Sequence, residues 1–126
     1  MEELTLTNSE WYVLECLWEK SPMTVMELVA ALGEKVGWAK STTITTLRRM
    51  EEKGLISCRM EGRARHYFPA VEREGAVLRE TRSFLDKVYR GSVGLMVSAM
   101  ASEKALSRAE IEELYEILKQ AEEGER

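Results

Sequence analysis

Three stretches of the sequence carry the same helix-start pattern, in which a serine or threonine is followed three positions later by a glutamate. In such a capping box, the hydroxyl oxygen accepts a hydrogen bond from the backbone N–H of the glutamate, and the carboxylate accepts one from the N–H of the capping residue. The three pairs are Thr7 with Glu10, Thr24 with Glu27, and Ser107 with Glu110. The sequence therefore predicts three helices, each of which begins directly after its capping residue.

Apolar residues at steps of three and four extend the first two starts into amphipathic helices. The first helix is predicted to run to about Lys20, because Ser21 and Pro22 follow and the residue before a proline disfavours helical backbone. The second helix is predicted to run from residue 25 through residue 32 and to end near Gly33, since glycine commonly follows a helix C-terminus.

A third helix and a hairpin complete the first half of the chain. The helix is predicted over residues 39–53 and ends at Gly54, because glycine adopts left-handed backbone without strain. Two alternating runs, residues 55–60 and 64–68, are separated by Glu61-Gly62-Arg63, which predicts a β-hairpin that ends at Pro69. Three helices followed by a hairpin predict a winged helix-turn-helix domain. The predicted fold class is therefore mainly α with a small β-hairpin.

The rest of the chain is predicted to be helical, over residues 72–89, 93–101 and 108–122. A segment of three helices is too thin to bury all of its apolar faces alone, so it either covers the first domain or pairs with a second copy of the chain. We favour pairing, and we divide the chain into a winged-helix domain of residues 1–70 and a helical dimerisation segment of residues 71–126. The residues predicted to form the dimer contacts are Phe84, Leu85, Val88, Met96, Ile111, Leu114, Tyr115 and Leu118.

The distribution of charge along the chain points to a nucleic-acid partner, although the net charge is −4. Residues 40–65 carry seven lysines and arginines against three glutamates, a local excess of four positive charges. From residue 71 onward, nine basic residues stand against twelve acidic ones. Because affinity for a phosphate backbone comes from lysine and arginine, the basic segment is the candidate for DNA contact.

The third helix is predicted to have a core face, with Thr43, Leu47 and Met50, and an outward face of hydroxyl and arginine side chains. Hydroxyl groups form hydrogen bonds with phosphates or base edges, and arginine forms a bidentate pair of hydrogen bonds with the edge of guanine. The alternatives left open are a solvated helix face and, for the hairpin arginines, protection of an edge strand. The residues predicted to bind DNA are Lys40, Ser41, Thr42, Thr45, Arg48 and Arg49 in the helix and Arg63 and Arg65 in the hairpin.

Few residues suggest any other chemistry. Cys16 and Cys58 lack the spacing of a metal or redox motif, and His66, the one histidine of the chain, lies beside no second histidine or cysteine. We therefore expect no metal site, no cofactor and no enzyme activity.

The longest apolar stretch is far short of the roughly 20 residues of a membrane span, and the first three residues are acidic where an export signal is basic. We expect a cytoplasmic protein that does not bind membranes.

Five groups of residues occur in an order that is typical of one protein family. They are Glu10-Trp11 with Leu17-Trp18, Thr42 to Arg49 followed by Lys53-Gly54-Leu55-Ile56, Tyr67, Phe84-Leu85-Asp86, and Glu110-Ile111-Glu112-Glu113-Leu114. With these groups the chain resembles the penicillinase and methicillin-resistance repressors and their copper-responsive relatives. The resemblance covers nearly the whole chain.

The resemblance implies a homodimer that represses transcription by occupying a promoter. Each winged-helix domain would read half of a palindromic operator, and the C-terminal helices would form the dimer interface. By position, Thr42, Thr45 and Arg49 fall where the family's recognition helix meets DNA, with Ser41 and Arg48 beside them. The expected partners are double-stranded DNA and a second copy of the chain. The alternative is a winged-helix module whose third helix contacts a protein instead of DNA, which the overall acidity weakly favours.

In the antibiotic-responsive members, the resemblance implies induction by proteolysis within the C-terminal segment, which adds a regulatory protease as a partner. The matching bond here joins Ala99 and Met100. The family's bond joins a polar and an aromatic residue, so control by cleavage stays an open alternative. The copper-responsive members carry clustered cysteines near the C-terminus, whereas residues 120–126 have none, so copper sensing is not expected.

Overall fold

A computed structural model describes residues 6–124, which form six helices and three strands. The predicted fold class, mainly α with a small β-hairpin, is confirmed. The first three residues, on which the expectation about export rests, lie outside the described part of the chain. The elements are α1 (Asn8–Glu19), β1 (Met23–Thr24), α2 (Val25–Val36), α3 (Lys40–Lys53), β2 (Ile56–Glu61), β3 (Ala64–Pro69), α4 (Arg73–Tyr89), α5 (Val93–Ser102) and α6 (Arg108–Gly124).

All three predicted capping boxes form. Thr24 Oγ1 accepts a hydrogen bond from the N–H of Glu27 at 3.2 Å, and Glu27 Oε1 accepts one from the N–H of Thr24 at 2.9 Å. The pair Ser107 and Glu110 makes the same two bonds at 3.1 and 2.8 Å. These bonds, above all the one from the capping backbone amide, lower the pKa of Glu27 and of Glu110 below the usual glutamate value. Both carboxylates are therefore charged at neutral pH and stabilise the positive N-terminal ends of their helices.

The predicted end of the second helix near Gly33 is wrong. The helix continues to Val36, and Gly37 takes the left-handed conformation with φ at 72°. The carbonyl of Gly33 accepts a hydrogen bond from the N–H of Gly37 at 3.1 Å, so Gly33 belongs to the last turn. The extra turn forms because it places Val36 against the core, which offsets the low helix propensity of a glycine within the helix.

The sheet contains a short strand that the sequence pattern did not predict. Two residues form β1, which pairs antiparallel with β3 so that Met23 lies opposite Tyr67. The strand order is β1-β3-β2, so β3 is the central strand. The hairpin itself is confirmed, and its pairing ends at Pro69 as predicted. A two-residue strand has no periodicity to detect, because alternation needs at least four residues.

One hydrophobic core holds the first three helices and the hairpin together. Met50 of α3 is completely buried, and Tyr67 of β3 is 4% exposed. Trp18 packs at the edge of this core and donates a hydrogen bond from Nε1 to the carbonyl of Val71 at 2.9 Å. The other buried members of the core are Val13, Leu14, Cys16, Leu17, Met23, Leu28, Leu32, Leu47, Leu55 and Ile56. The orientation of α3 is therefore fixed by side chains from α1, α2 and the start of the hairpin.

The chain divides into two compact units, one that ends at Thr81 and one that begins at Arg82. The first unit contains the whole core, and Ala76 of α4 is buried in it as well. In the second unit, none of residues 82–124 is buried. The division into a domain of residues 1–70 and a segment of residues 71–126 concerns function, and it stays a prediction.

Candidate nucleic-acid interface

The inward side of α3 is tightly packed, and its outward side carries hydroxyl and cationic groups. Thr43, Leu47 and Met50 are at most 2% exposed, as the spacing predicted. Five of the six predicted helix residues are exposed and Thr45 is half-buried. We call these six residues the α3 face: Lys40, Ser41, Thr42, Thr45, Arg48 and Arg49. The fold thus gathers the predicted helix residues on one surface of one rigid element.

The two arginines of the α3 face are available to a ligand. Arg48 and Arg49 form no ion pair with any residue that the structure describes, and both side chains are exposed. An exposed, unpaired guanidinium offers several donors in a planar fork, which matches a guanine edge or a phosphate. Positive charge without a carboxylate partner is what contact with DNA requires.

The start of α3 differs from the starts of α1, α2 and α6. Its N-cap is Ala39, which makes no side-chain cap hydrogen bond, and its first turn contains no acidic residue. The N–H groups in the first turn of a helix carry partial positive charge and suit phosphate oxygens. The beginning of α3, with Lys40 and Ser41, is therefore compatible with a nucleic-acid backbone in a way that the capped helices are not.

Two threonine hydroxyls of α3 are placed differently from those of the α3 face. Thr46 Oγ1 donates a hydrogen bond to the carbonyl of Thr42 at 2.7 Å. Thr43 Oγ1 is fully buried and has no hydrogen-bond partner among residues 6–124. A buried hydroxyl without a partner lowers stability, because its hydrogen bonds to water in the unfolded chain are not replaced.

Replacing Thr43 with valine is therefore expected to raise the free energy of unfolding by about 1 kcal/mol. Valine keeps the branched shape and has a similar helix propensity, while the unsatisfied oxygen is removed. Urea unfolding followed by tryptophan fluorescence measures this change, because all three tryptophans lie in the first unit.

The matched control is Thr46→Val, which removes a hydroxyl that does donate a hydrogen bond. This variant should show no gain in stability. A loss of stability in Thr43→Val would contradict the assignment of an unsatisfied hydroxyl at that position.

An ion pair between a buried glutamate and an exposed lysine joins the C-terminal end of α3 to α1. Glu10 is only 6% exposed and its Oε2 accepts a hydrogen bond from Lys53 Nζ. The other carboxylate oxygen accepts the capping bond from the N–H of Thr7 at 2.9 Å. One glutamate thus caps α1 and anchors α3. The capping pattern alone does not predict the contact with α3, although Glu10 shares its spacing with Leu14 and Leu17 on the buried stripe, which indicates burial.

The hairpin arginines have different surroundings. Arg63 is exposed in the turn beside Gly62, whose φ is 65°. Arg65 Nη1 lies 3.8 Å from a carboxylate oxygen of Glu51 in α3, a contact that the sequence did not reveal. Both predicted residues are at the surface, but only Arg65 is linked to α3. Arg63 is therefore the freer of the two cations to meet a phosphate.

A third hairpin arginine and the histidine serve the hairpin itself. The guanidinium carbon of Arg59 lies 4.9 Å from the centre of the Phe68 ring, in the geometry of a cation–π contact. His66 Nδ1 lies 3.2 Å from the carbonyl oxygen of Ala64 and 3.8 Å from a carboxylate oxygen of Glu61. Both contacts are made within the hairpin, so His66 has a structural role there.

The described residues offer neither a metal-binding cluster nor a membrane-spanning helix. Within residues 6–124, no cluster of three histidine, cysteine, aspartate or glutamate side chains could hold a metal ion. Over the same part of the chain, no helix combines the length and the hydropathy that a bilayer span requires. Cys16 is buried and Cys58 is half-buried, and both are free thiols.

The sequence matches a known protein family over most of its length. Residues 6–120 match the family model described as Penicillinase repressor. The chain is similar to the penicillinase repressor of Bacillus licheniformis, with 30% identity over 115 residues that cover 91% of this chain and 90% of the relative. It is also similar to the methicillin resistance regulatory protein MecI of Staphylococcus aureus (strain N315), with 26% identity over 113 residues, 90% of this chain and 92% of that protein.

A similar solved structure is that of a protein bound to DNA. Part of the chain is similar to the Bacillus licheniformis BlaI monomeric form in complex with the blaP half-operator. The identity is 25% and the TM-score 0.52, and the match covers 56% of this chain and 87% of that one.

Proposed function

This chain belongs to the penicillinase repressor family, a family of DNA-binding transcriptional repressors and not of enzymes, and from that premise we propose that it acts as a homodimer on a palindromic operator. The observation that carries the proposal is the α3 face, where hydroxyls and two unpaired arginines project from a helix whose other side is locked into the core. The complex of the related BlaI with a half-operator supports the same mode of binding for this chain.

In this proposal the residues of the α3 face divide into readers and flanking contacts. Thr42, Thr45 and Arg49 contact base edges in the major groove, where hydroxyls and an arginine fork distinguish base pairs. Ser41 and Arg48 lie beside them. The residues that hold the phosphate backbone are Lys40 at the start of α3 and Arg63 and Arg65 in the hairpin.

The exposed apolar residues of the second unit support dimerisation. Since none of residues 82–124 is buried, this unit has no core of its own and leaves large apolar side chains in water. Tyr115 is 74% exposed, for example. Of the eight predicted contact residues, five are exposed and Leu85, Met96 and Leu114 are half-buried. A second copy of the chain that covers these side chains would supply the missing core.

Release from DNA is proposed to involve a regulatory protease that cleaves between Ala99 and Met100. The bond lies inside α5, so a protease that binds extended backbone must first unwind this helix. No residue of α5 is buried within one copy of the chain, so local unwinding of α5 costs packing energy only where Met96 contacts the second copy. A repressor acts where its operator DNA lies, so we propose a cytoplasmic location for this chain.

Selection of duplexes from a randomised pool by the full-length protein tests the proposal. The enriched sequences are expected to be palindromic, with half-sites separated by about 10 base pairs or a multiple of that. In fluorescence anisotropy, the selected duplex should bind at least about 1,000-fold more tightly than a scrambled duplex of the same composition. Affinity should fall linearly with the logarithm of salt concentration, because bound phosphates release counterions.

Weak binding without sequence preference would contradict the proposal. Micromolar or weaker binding that is the same for selected and scrambled duplexes would contradict sequence-specific repression. It would favour the alternative of a module whose α3 face contacts a protein.

A further inference from the structure

Ile44 is an apolar side chain exposed on the helix that is proposed to read DNA. It is 40% exposed, whereas its neighbour Thr43 is fully buried. It belongs neither to the hydrophobic core nor to the partly buried side chains that pack against the core. A β-branched residue also favours a helix less than alanine or leucine does. Neither packing nor helix stability accounts for isoleucine at this position.

The neighbours of Ile44 place it inside the proposed DNA interface. Residues four apart lie on the same side of a helix, so Ile44 lies in one row between Lys40 and Arg48. The proposed readers Thr42 and Arg49 lie on another part of the helix surface, because residues two and five positions away are turned by about 160° and 140° around the axis at 3.6 residues per turn. A DNA groove that receives Lys40 and Arg48 therefore also receives the side chain of Ile44, which lies between them.

An isoleucine side chain has no hydrogen-bonding atom, so it cannot bind a phosphate or a polar base edge. The apolar group that the major groove displays is the C5-methyl group of thymine, which identifies a T·A pair. Burial of one methyl group against an aliphatic side chain is favourable by the hydrophobic effect. The chemistry of Ile44 thus matches one feature of the groove and no other.

We propose that Ile44 contacts the C5-methyl group of a thymine in each operator half-site and thereby selects thymine at that position. This inference rests on the proposed function, because it requires that α3 enters the major groove of DNA. It adds a specificity-determining residue to the polar side chains of the α3 face.

Replacement of thymine by deoxyuridine tests the inference, because it removes the methyl group and leaves base pairing intact. The probe is the duplex selected by the full-length wild-type protein, with one thymine of each half-site replaced at a time. At one position the replacement is expected to weaken wild-type binding by about fourfold per half-site, as for one buried methyl group. Ile44→Ala should bind the thymine duplex more weakly and lose nothing further when that thymine is replaced.

Two controls separate this contact from general effects. Met26→Ala removes another exposed apolar side chain of the first unit, from α2, and it should leave both the affinity and the deoxyuridine penalty as in the wild type. Urea unfolding should show nearly unchanged stability for Ile44→Ala, because an exposed side chain contributes little to the core.

The outcomes that would overturn the inference are distinct from failure of the proposed function. If a palindromic duplex is selected but no thymine replacement weakens wild-type binding, the methyl contact does not exist. If Ile44→Ala keeps the wild-type penalty, the methyl group is read by another side chain, such as Thr42 or Thr45. If no sequence is selected at all, the proposed function fails and this inference fails with it.

Discussion

A fragment that ends at Thr81 is expected to bind the full operator about 100- to 10,000-fold more weakly than the full-length chain does. The fragment keeps the whole core and the α3 face, so each copy should still read a half-site. It lacks the unit in which none of residues 82–124 is buried, and therefore the proposed dimer contacts. Without a dimer, the second half-site is bound from bulk solution and no longer at the high effective concentration that a linked partner provides.

Light scattering and anisotropy measure the two parts of this prediction. The full-length chain should be a dimer at roughly tens of micromolar, and the fragment should be a monomer with unchanged tryptophan fluorescence. The internal control is a duplex with a single half-site, to which one subunit of each protein should bind with similar affinity. A fragment that ends at Ala99 reproduces the proposed cleavage product, and it should lose operator affinity to a similar degree. A monomeric full-length chain would contradict the dimerisation proposal.

Replacing Arg49 with alanine is expected to weaken operator binding by about 5- to 150-fold per half-site, which corresponds to about 1 to 3 kcal/mol for an arginine fork on a guanine. The guanidinium is exposed and has no carboxylate partner among residues 6–124, so its removal leaves no buried charge behind. The loss should therefore appear in binding and leave the free energy of unfolding nearly unchanged.

A second variant distinguishes base reading from phosphate contact at this position. Arg49→Lys keeps the positive charge but lacks the planar fork. If Arg49 reads a guanine, the lysine variant should lose discrimination at one base pair and keep the salt dependence. The matched control is Arg108→Ala at the start of α6, which removes one positive charge outside the α3 face. Wild-type affinity of Arg49→Ala at physiological salt would contradict its role as a reader.

The predictions from sequence were accurate where the determining interactions are local. The capping boxes formed as predicted because each involves residues three apart, and α3 ended at Gly54 because a glycine there adopts a φ of 79°. The end of α2 was predicted wrongly, since two glycines were available and the packing of Val36 decided between Gly33 and Gly37. The strand β1 was also missed because of an interaction between distant residues, since only its pairing with β3 defines it.

The sequence by itself determined the order of helices, the hairpin and which side of α3 faces the core, because these follow from residue spacing and local hydrogen bonds. Only the tertiary structure decided that Lys53 pairs with the buried Glu10, that Arg65 lies near Glu51, and that Ile44 is exposed among the residues proposed to bind DNA. These features depend on contacts between residues far apart in the chain, or on how much of a side chain the neighbouring elements cover. A spacing pattern indicates which way a side chain points, whereas the packing of the other elements determines what it meets there.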